Sequence, residues 1–255
     1  MNFLERVIKQ KEIEIARKRS EVPAAELERL AEALPPRDFE GALAGERRII
    51  AELKKRSPRV ASFRQAGALE ALATQYEANG AAAVSVVTDE ANFGTSLADA
   101  RRVRDLIGLP VLVKDFFVDP YQILEARSAG ADAVLLISRI LPVDVLSSLI
   151  ERTRSLGIAA LVEVHSREDV GRALEAGAPI FGINNRNLGS LEVSLDTTRD
   201  LIGLVPGDAL VVSESGISCR EQIEALSALG VGAFLIGGAL LNSTDPGRLL
   251  ATLVG

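Results

Sequence analysis

The chain has 255 residues, a net charge of -6, 47% hydrophobic residues and 25% charged residues, enough to bury a sizeable core without covalent staples. The acidic balance excludes a generally basic surface for nucleic acid, and a single cysteine, Cys219, excludes an internal disulfide and a cysteine-based zinc cluster. No apolar run reaches the roughly 20 residues of a membrane helix.

The N-terminus, MNFLERVIKQKEIEIARKRS, interrupts every apolar stretch with charges and so lacks the unbroken core of a secretory signal. Phe3, Leu4, Val7, Ile8 and Ile15 fall near helical spacing, which predicts an amphipathic helix packed on the main body; a partner-binding arm is the alternative. From residue 49 onward, short apolar runs recur at Ile49–Leu53, Ala83–Val87, Pro110–Val113, Ala133–Ile137, Ala159–Val164, Ile180–Ile183, Ala209–Val212 and Ala233–Ile236. Near-continuous apolar runs suit strands covered on both faces, as in a parallel sheet. Segments such as Ala68–Ala78, Tyr121–Ser128, Pro142–Ser155 and Arg220–Leu229 read as the intervening helices. Asp119-Pro120 gives an N-cap followed by proline at the first helical position, and Ser166 opens a candidate capping box. Gly130, Gly157, Gly177 and Gly230 follow helical runs, where a left-handed cap favours glycine. Eight such units predict a single (β/α)8 barrel, the TIM-barrel architecture; a doubly wound sheet is the competitor. The expected division is one domain, with residues 1–48 as an N-terminal helical extension and 49–255 as the barrel.

Nearly every strand run ends in polar or charged side chains: Glu52 and Lys54, Thr88 and Asp89, Lys114 and Asp115, Ser138 and Arg139, Glu163 and His165, Asn184 to Arg186, and Ser213 to Ser215. In a barrel those ends converge on one mouth, where active sites are built. Strand parity lets Glu52 and Lys54 both point inward and leaves Lys55 and Arg56 as loop charges. Asp115 has parity opposite to Lys114, which favours a structural ion pair over catalysis. A lone histidine, His165, reads first as a structural hydrogen-bonder, and Cys219 reads as inert. Glycines after the last two strands, Gly216, Gly237 and Gly238, suit backbone binding of a phosphate.

Several motifs in order resemble indole-3-glycerol phosphate synthase: Ile-Ala-Glu-Leu-Lys-Lys-Arg-Ser-Pro at 50–58, Val-Leu-Val-Lys-Asp-Phe at 111–116, Leu-Val-Glu-Val-His at 161–165, Gly-Ile-Asn-Asn-Arg-Asn-Leu at 182–188 and Ser-Glu-Ser-Gly-Ile at 213–217. The resemblance spans essentially the whole chain. It implies a cytoplasmic carboxy-lyase of tryptophan biosynthesis that closes the pyrrole ring of indole on 1-(2-carboxyphenylamino)-1-deoxyribulose 5-phosphate, releasing carbon dioxide and water. It implies no metal or organic cofactor, no nucleic-acid or membrane partner, and a monomer or weak homo-oligomer. Catalytic roles carry over to Glu52, Lys54, Lys114, Glu163, Asn184 and Glu214. Substrate contacts carry over to Ser57, Phe93, Phe116, Leu135, Arg186 and Ser215, with Phe93 and Leu135 in the aromatic-ring pocket and Gly216, Gly237 and Gly238 at the phosphate.

Two departures stand out. The family continues Ser-Pro-Ser-x-Gly after the first strand, whereas Ser57-Pro58 here leads into Arg59-Val60-Ala61. The family follows the eighth strand with glycine and a larger residue, whereas Gly238 offers only its N–H, so slightly weaker phosphate binding is expected. Phosphoribosylanthranilate isomerase, which shares the barrel, relies on a cysteine at the first strand, and Cys219 is not there. A non-catalytic phosphosugar-binding barrel would not need Lys54, Lys114 and Glu163 together.

Overall fold

A computed structural model describes residues 3–58, 60–65 and 69–255. Arg59, Ala68 and the side chain of Phe3, which figure in the sequence reading, lie outside what is described. Eight parallel strands close into a barrel in sequence order: β1 (Arg48–Leu53), β2 (Ala83–Val87), β3 (Val111–Lys114), β4 (Ala133–Ile137), β5 (Ala159–Val164), β6 (Ile180–Asn184), β7 (Leu210–Glu214) and β8 (Ala233–Ile236), with β8 pairing back to β1. Closure rules out the doubly wound sheet. The barrel begins at Arg48, one residue earlier than the sequence reading, and β7 starts one residue later and ends two residues later, at Glu214.

Alternation explains why the strand runs are apolar throughout. Ile50, Leu112, Leu135, Leu161, Val212 and Leu235 fill the interior, while Ile49, Leu53, Val84, Val113 and Phe234 pack outward against the helices. The helix from Pro120 to Ser128 starts as the sequence predicts: the Asp119 carboxylate accepts from the Tyr121 N–H at 2.8 Å and Pro120 occupies the first turn. Asp119→Ala is expected to cost about 1 kcal/mol, the usual value of an N-cap, lowering Tm by about 2–4 °C in thermal denaturation. Gly130, Gly157, Gly177 and Gly230 all take positive φ, and Gly130 also clears the path of the Arg104 side chain, whose Cδ would lie 2.2 Å from an added Cβ. The capping box at Ser166 is only half formed. Ser166 accepts from the Asp169 N–H, but the Asp169 carboxylate instead accepts from the His165 N–H at 3.1 Å.

The extension straps the barrel from end to end. Its helix Phe3–Glu21 lies at the C-terminal mouth and buries Val7, Lys11 and Ile15. Lys11 does not snorkel to solvent as a helix lysine ordinarily does; it pairs with Asp115 at 2.8 Å. Helix Ala24–Glu32 then runs beside Pro120–Ser128, burying Leu27 and Ala31 against Tyr121 and Leu124. At the opposite end the Arg37 N–H donates to buried Asp132 at 2.7 Å, and Phe39 and Leu43 join the interior cluster just ahead of β1.

Candidate active site

Five of the polar residues at the strand ends form the floor of the mouth. Glu52 on β1, Lys114 closing β3, Glu163 on β5, and Asn184 and Glu214 closing β6 and β7 meet in the interior, with Asn184 in register with Glu214. Lys114 Nζ lies 2.7 Å from Glu214 Oε2, 3.2 Å from Glu163 Oε2 and 4.0 Å from Glu52 Oε2. Lys54 is hydrogen-bonded to Glu52 Oε1. The Lys54 and Lys114 side chains keep 17% and 20% of their surface open, against 5% or less for the three glutamates. A ligand entering the mouth therefore meets two ammonium groups backed by carboxylates.

Three carboxylates facing two ammonium groups leave one negative charge without a partner, and an unpaired buried charge is costly. Burial pushes the Glu214 carboxyl above its ordinary range; Lys114 opposes this and the neighbouring Glu163 reinforces it. Burial acts the same way on Glu163 and Glu52, but there it loses. Lys114 and His165 hold Glu163 well below the carboxylate range, and Lys54 and Lys114 hold Glu52 below it. A proton taken up by the cluster would therefore go first to Glu214. Burial works against the Lys114 charge, yet Glu214, Glu163 and Glu52 together hold its pKa above the ordinary lysine value.

Two glycines make room for these carboxylates. Gly182 faces inward on β6, and an added Cβ would lie 2.4 Å from Glu214 Oε1. Gly237, just past β8, stands in the same relation to Glu52, with an added Cβ 2.3 Å from Oε1. Gly237 thus has a spatial task beside the phosphate role read from sequence.

The remaining candidates are placed as follows. Phe116 is buried in the interior cluster and Phe93 packs against that cluster from the end of helix Glu90–Phe93. Leu135 is fully buried in register with Leu161, one layer beneath Ile137, which shares the level of Glu163. Ser57 is half-buried in a two-way backbone bridge with Val60 at 2.8 and 3.0 Å. The Arg186 guanidinium donates to the Leu191 carbonyl at 3.2 Å, within its own loop. Ser215 and Gly216 turn the chain after β7 with φ of 68° and 82°. Ser215 is a non-glycine in the left-handed region, and the Asn185 amide holds its carbonyl at 3.0 Å. Asn185 is locked in turn by Ser213 and Thr198, all three fully buried. Gly238 is exposed at the start of helix Gly238–Asn242, with nothing within 4 Å of an added Cβ.

Several strand-end polar residues lie away from the floor. Thr88 donates to Asp115 at 2.9 Å and Asp89 lies 3.8 Å from Lys11, so both belong to the attachment of the first helix. Ser138 donates to the Asp169 carbonyl at 3.0 Å. Sequence reasoning missed part of the wall: an open cavity of about 500 Å3 is lined by Leu4, Ile8, Arg139, Ile140, Leu188 and Gly189, among others. Leu4, Ile140 and Leu188 join the same apolar cluster as Phe116, so the cavity continues the barrel interior. Leu188 lies inside a recognised motif, but the side chains from the extension carry no signal that they reach the mouth.

A closed parallel barrel with lysines and glutamates gathered at the C-terminal ends of its strands has the build of a barrel enzyme. Solved structures share the architecture: a thiamine phosphate pyrophosphorylase from Pyrococcus furiosus (TM-score 0.61, 17% identity, 85% of this chain and 96% of that one) and a 3-hexulose-6-phosphate synthase from Salmonella typhimurium (0.61, 16%, 81% and 96%). At these identities they speak to fold alone. The family model described as Indole-3-glycerol phosphate synthase matches residues 4–253. A protein of that name from Burkholderia vietnamiensis is 42% identical over 99% of this chain and 98% of its own length. Another, from Kineococcus radiotolerans, is 47% identical over 92% and 83%. The chain belongs to the indole-3-glycerol phosphate synthase family, whose members are decarboxylating lyases. Among the described residues no helix is long and apolar enough to cross a membrane.

Proposed function

We propose that this chain converts 1-(2-carboxyphenylamino)-1-deoxyribulose 5-phosphate to indole-3-glycerol phosphate in the cytoplasm, as one domain comprising the extension 1–48 and the barrel 49–255, and without a metal or organic cofactor. The observation that carries the residue roles is the pair of ammonium groups facing the open mouth over buried carboxylates. In ring closure an aryl carbon forms a bond to the ketose carbonyl carbon, and the carbonyl oxygen takes a proton. Lys114 donates it, and protonated Glu214, 2.7 Å away, restores the ammonium. Loss of carbon dioxide returns the electron pair to the ring and restores aromaticity. The new hydroxyl then leaves as water, with Lys54 as acid or as holder of the substrate carboxylate, and with Glu163 and Glu52 as base and electrostatic partner. Asn184 accepts the Arg186 N–H at 3.0 Å on its oxygen and directs its amide at Glu163. The apolar cluster around Phe116 and Phe93 supports an aromatic ring above this floor, with Leu135 packing beneath it. Ser57 and Arg186 complete the substrate contacts, and Ser215, Gly216, Gly237 and Gly238 offer N–H groups to the phosphate.

Turnover of the purified chain followed by indole fluorescence tests the reading, and absence of product would overturn it. The phosphate subsite has its own test. Because nothing crowds an added Cβ at Gly238, Gly238→Leu should fold normally, and its side chain, standing where the phosphate would approach the backbone N–H, should raise KM about tenfold or more, about 1.4 kcal/mol. Unchanged KM would place the phosphate elsewhere.

A further inference from the structure

His165 is the only histidine of the chain. Its side chain is 3% exposed, and neither ring nitrogen has an aligned hydrogen-bond partner among the described residues. Buried polar groups are ordinarily satisfied, and a histidine kept only for packing would be expected to donate to a backbone carbonyl. This one instead stands between two buried carboxylates. Nε2 lies 3.2 Å from Glu163 Oε1, and Nδ1 lies 3.9 Å from Asp169 Oδ2 on the helix Arg167–Glu175. Asp169 is anchored by the His165 backbone N–H at 3.1 Å and by Arg139 Nε at 3.5 Å, and Arg139 lines the mouth cavity. On its other side Glu163 meets Lys114 through Oε2 at 3.2 Å, and Asn184.

We propose that His165 is a positioning residue for Glu163: the imidazole takes Oε1 and so presents Oε2 to Lys114 and to the substrate. The arrangement follows the logic of a carboxylate that orients an imidazole, which in turn orients the reacting group. Contacts of this kind are commonly misaligned in a ligand-free site and tighten when substrate closes over it. The inference rests on the role given to Glu163 above.

The test has two arms. With one histidine, the imidazole nitrogen NMR signals belong to His165 without assignment. They should differ between the wild-type chain and Glu163→Gln, and identical signals would overturn the proposal. In kinetics, His165→Leu should lower kcat roughly 10- to 100-fold, the usual effect of losing an outer-shell partner, with KM held within about twofold. His165→Gln, which returns an N–H near the Nε2 position, should recover most of the loss. A wild-type kcat in His165→Leu, or equal losses in Leu and Gln, would overturn the positioning role. If His165→Leu is normal while Glu163→Gln is inactive, only this inference fails; if Glu163→Gln itself is normal, the catalytic role of Glu163 fails with it.

Discussion

Lys114→Ala is expected to lower kcat by roughly 10²- to 10⁴-fold, the value of a positioned general acid. KM should change little, because the phosphate and ring contacts remain. Lys114→Arg should not restore the rate, since a guanidinium hardly releases its proton and has a different shape. The surroundings of Lys114 make the effect large. Among the described residues it is the one cation shared by Glu214, Glu163 and Glu52, at 2.7, 3.2 and 4.0 Å. Removing it takes away the donor and leaves its carboxylates facing one another, so the floor must take up a further proton or rearrange. Steady-state kinetics with a thermal melt for each variant separates lost chemistry from lost stability. A Lys114→Ala enzyme with near-normal kcat would move the acid role to Lys54.

Gly182→Ala is expected to be nearly as damaging, although it adds one methyl group at a position with no left-handed backbone requirement. That methyl would lie 2.4 Å from Glu214 Oε1 and 3.3 Å from Leu161 Cδ1, and Glu214 is fully buried, so its carboxylate has no solvent to retreat into. Displacing it by about 1 Å from Lys114 should cost roughly 10²-fold in kcat, and overpacking should cost about 1–3 kcal/mol of stability. Gly203→Ala is the control, since nothing lies within 4 Å of its added Cβ. Equal activity in the two variants would show that the hollow at Gly182 is not needed to seat Glu214.

Period-two alternation made much of this site legible. Parity set Glu52 and Lys54 inward and set Asp115 apart from Lys114, and Asp115 does form a structural ion pair. Its partner, Lys11, was not legible, because a lysine in a charged amphipathic helix looks like any surface lysine. Parity also says nothing of depth. Leu135 points inward as expected but sits a layer below Ile137, since depth depends on the stagger between strands. Gly237 reads as a backbone phosphate binder and Gly182 only as the first position of a motif, and their service to two carboxylates appears only once β6 stands beside β7 and β8 beside β1. The upward push on Glu214 comes from burial and from Glu163 beside it, in a shared space that the linear order hides.

The seam between β1 and β8 sets the order in which the molecule can be finished. Residues 48–51 pair with residues 233–236, so the first strand waits for almost the whole chain before its second edge is covered. Ribosomal synthesis delivers the extension and Glu52 early and Gly237 late. Until β8 arrives, β1 and β7 each present an open edge, the kind that recruits foreign strands. Glu52 also has no hollow to occupy before then. Catalytic competence is therefore acquired at ring closure and not gradually. A nascent chain halted before β8 would carry nearly every residue of the floor and still be inert, and it would be the form most exposed to aggregation and to chaperone capture.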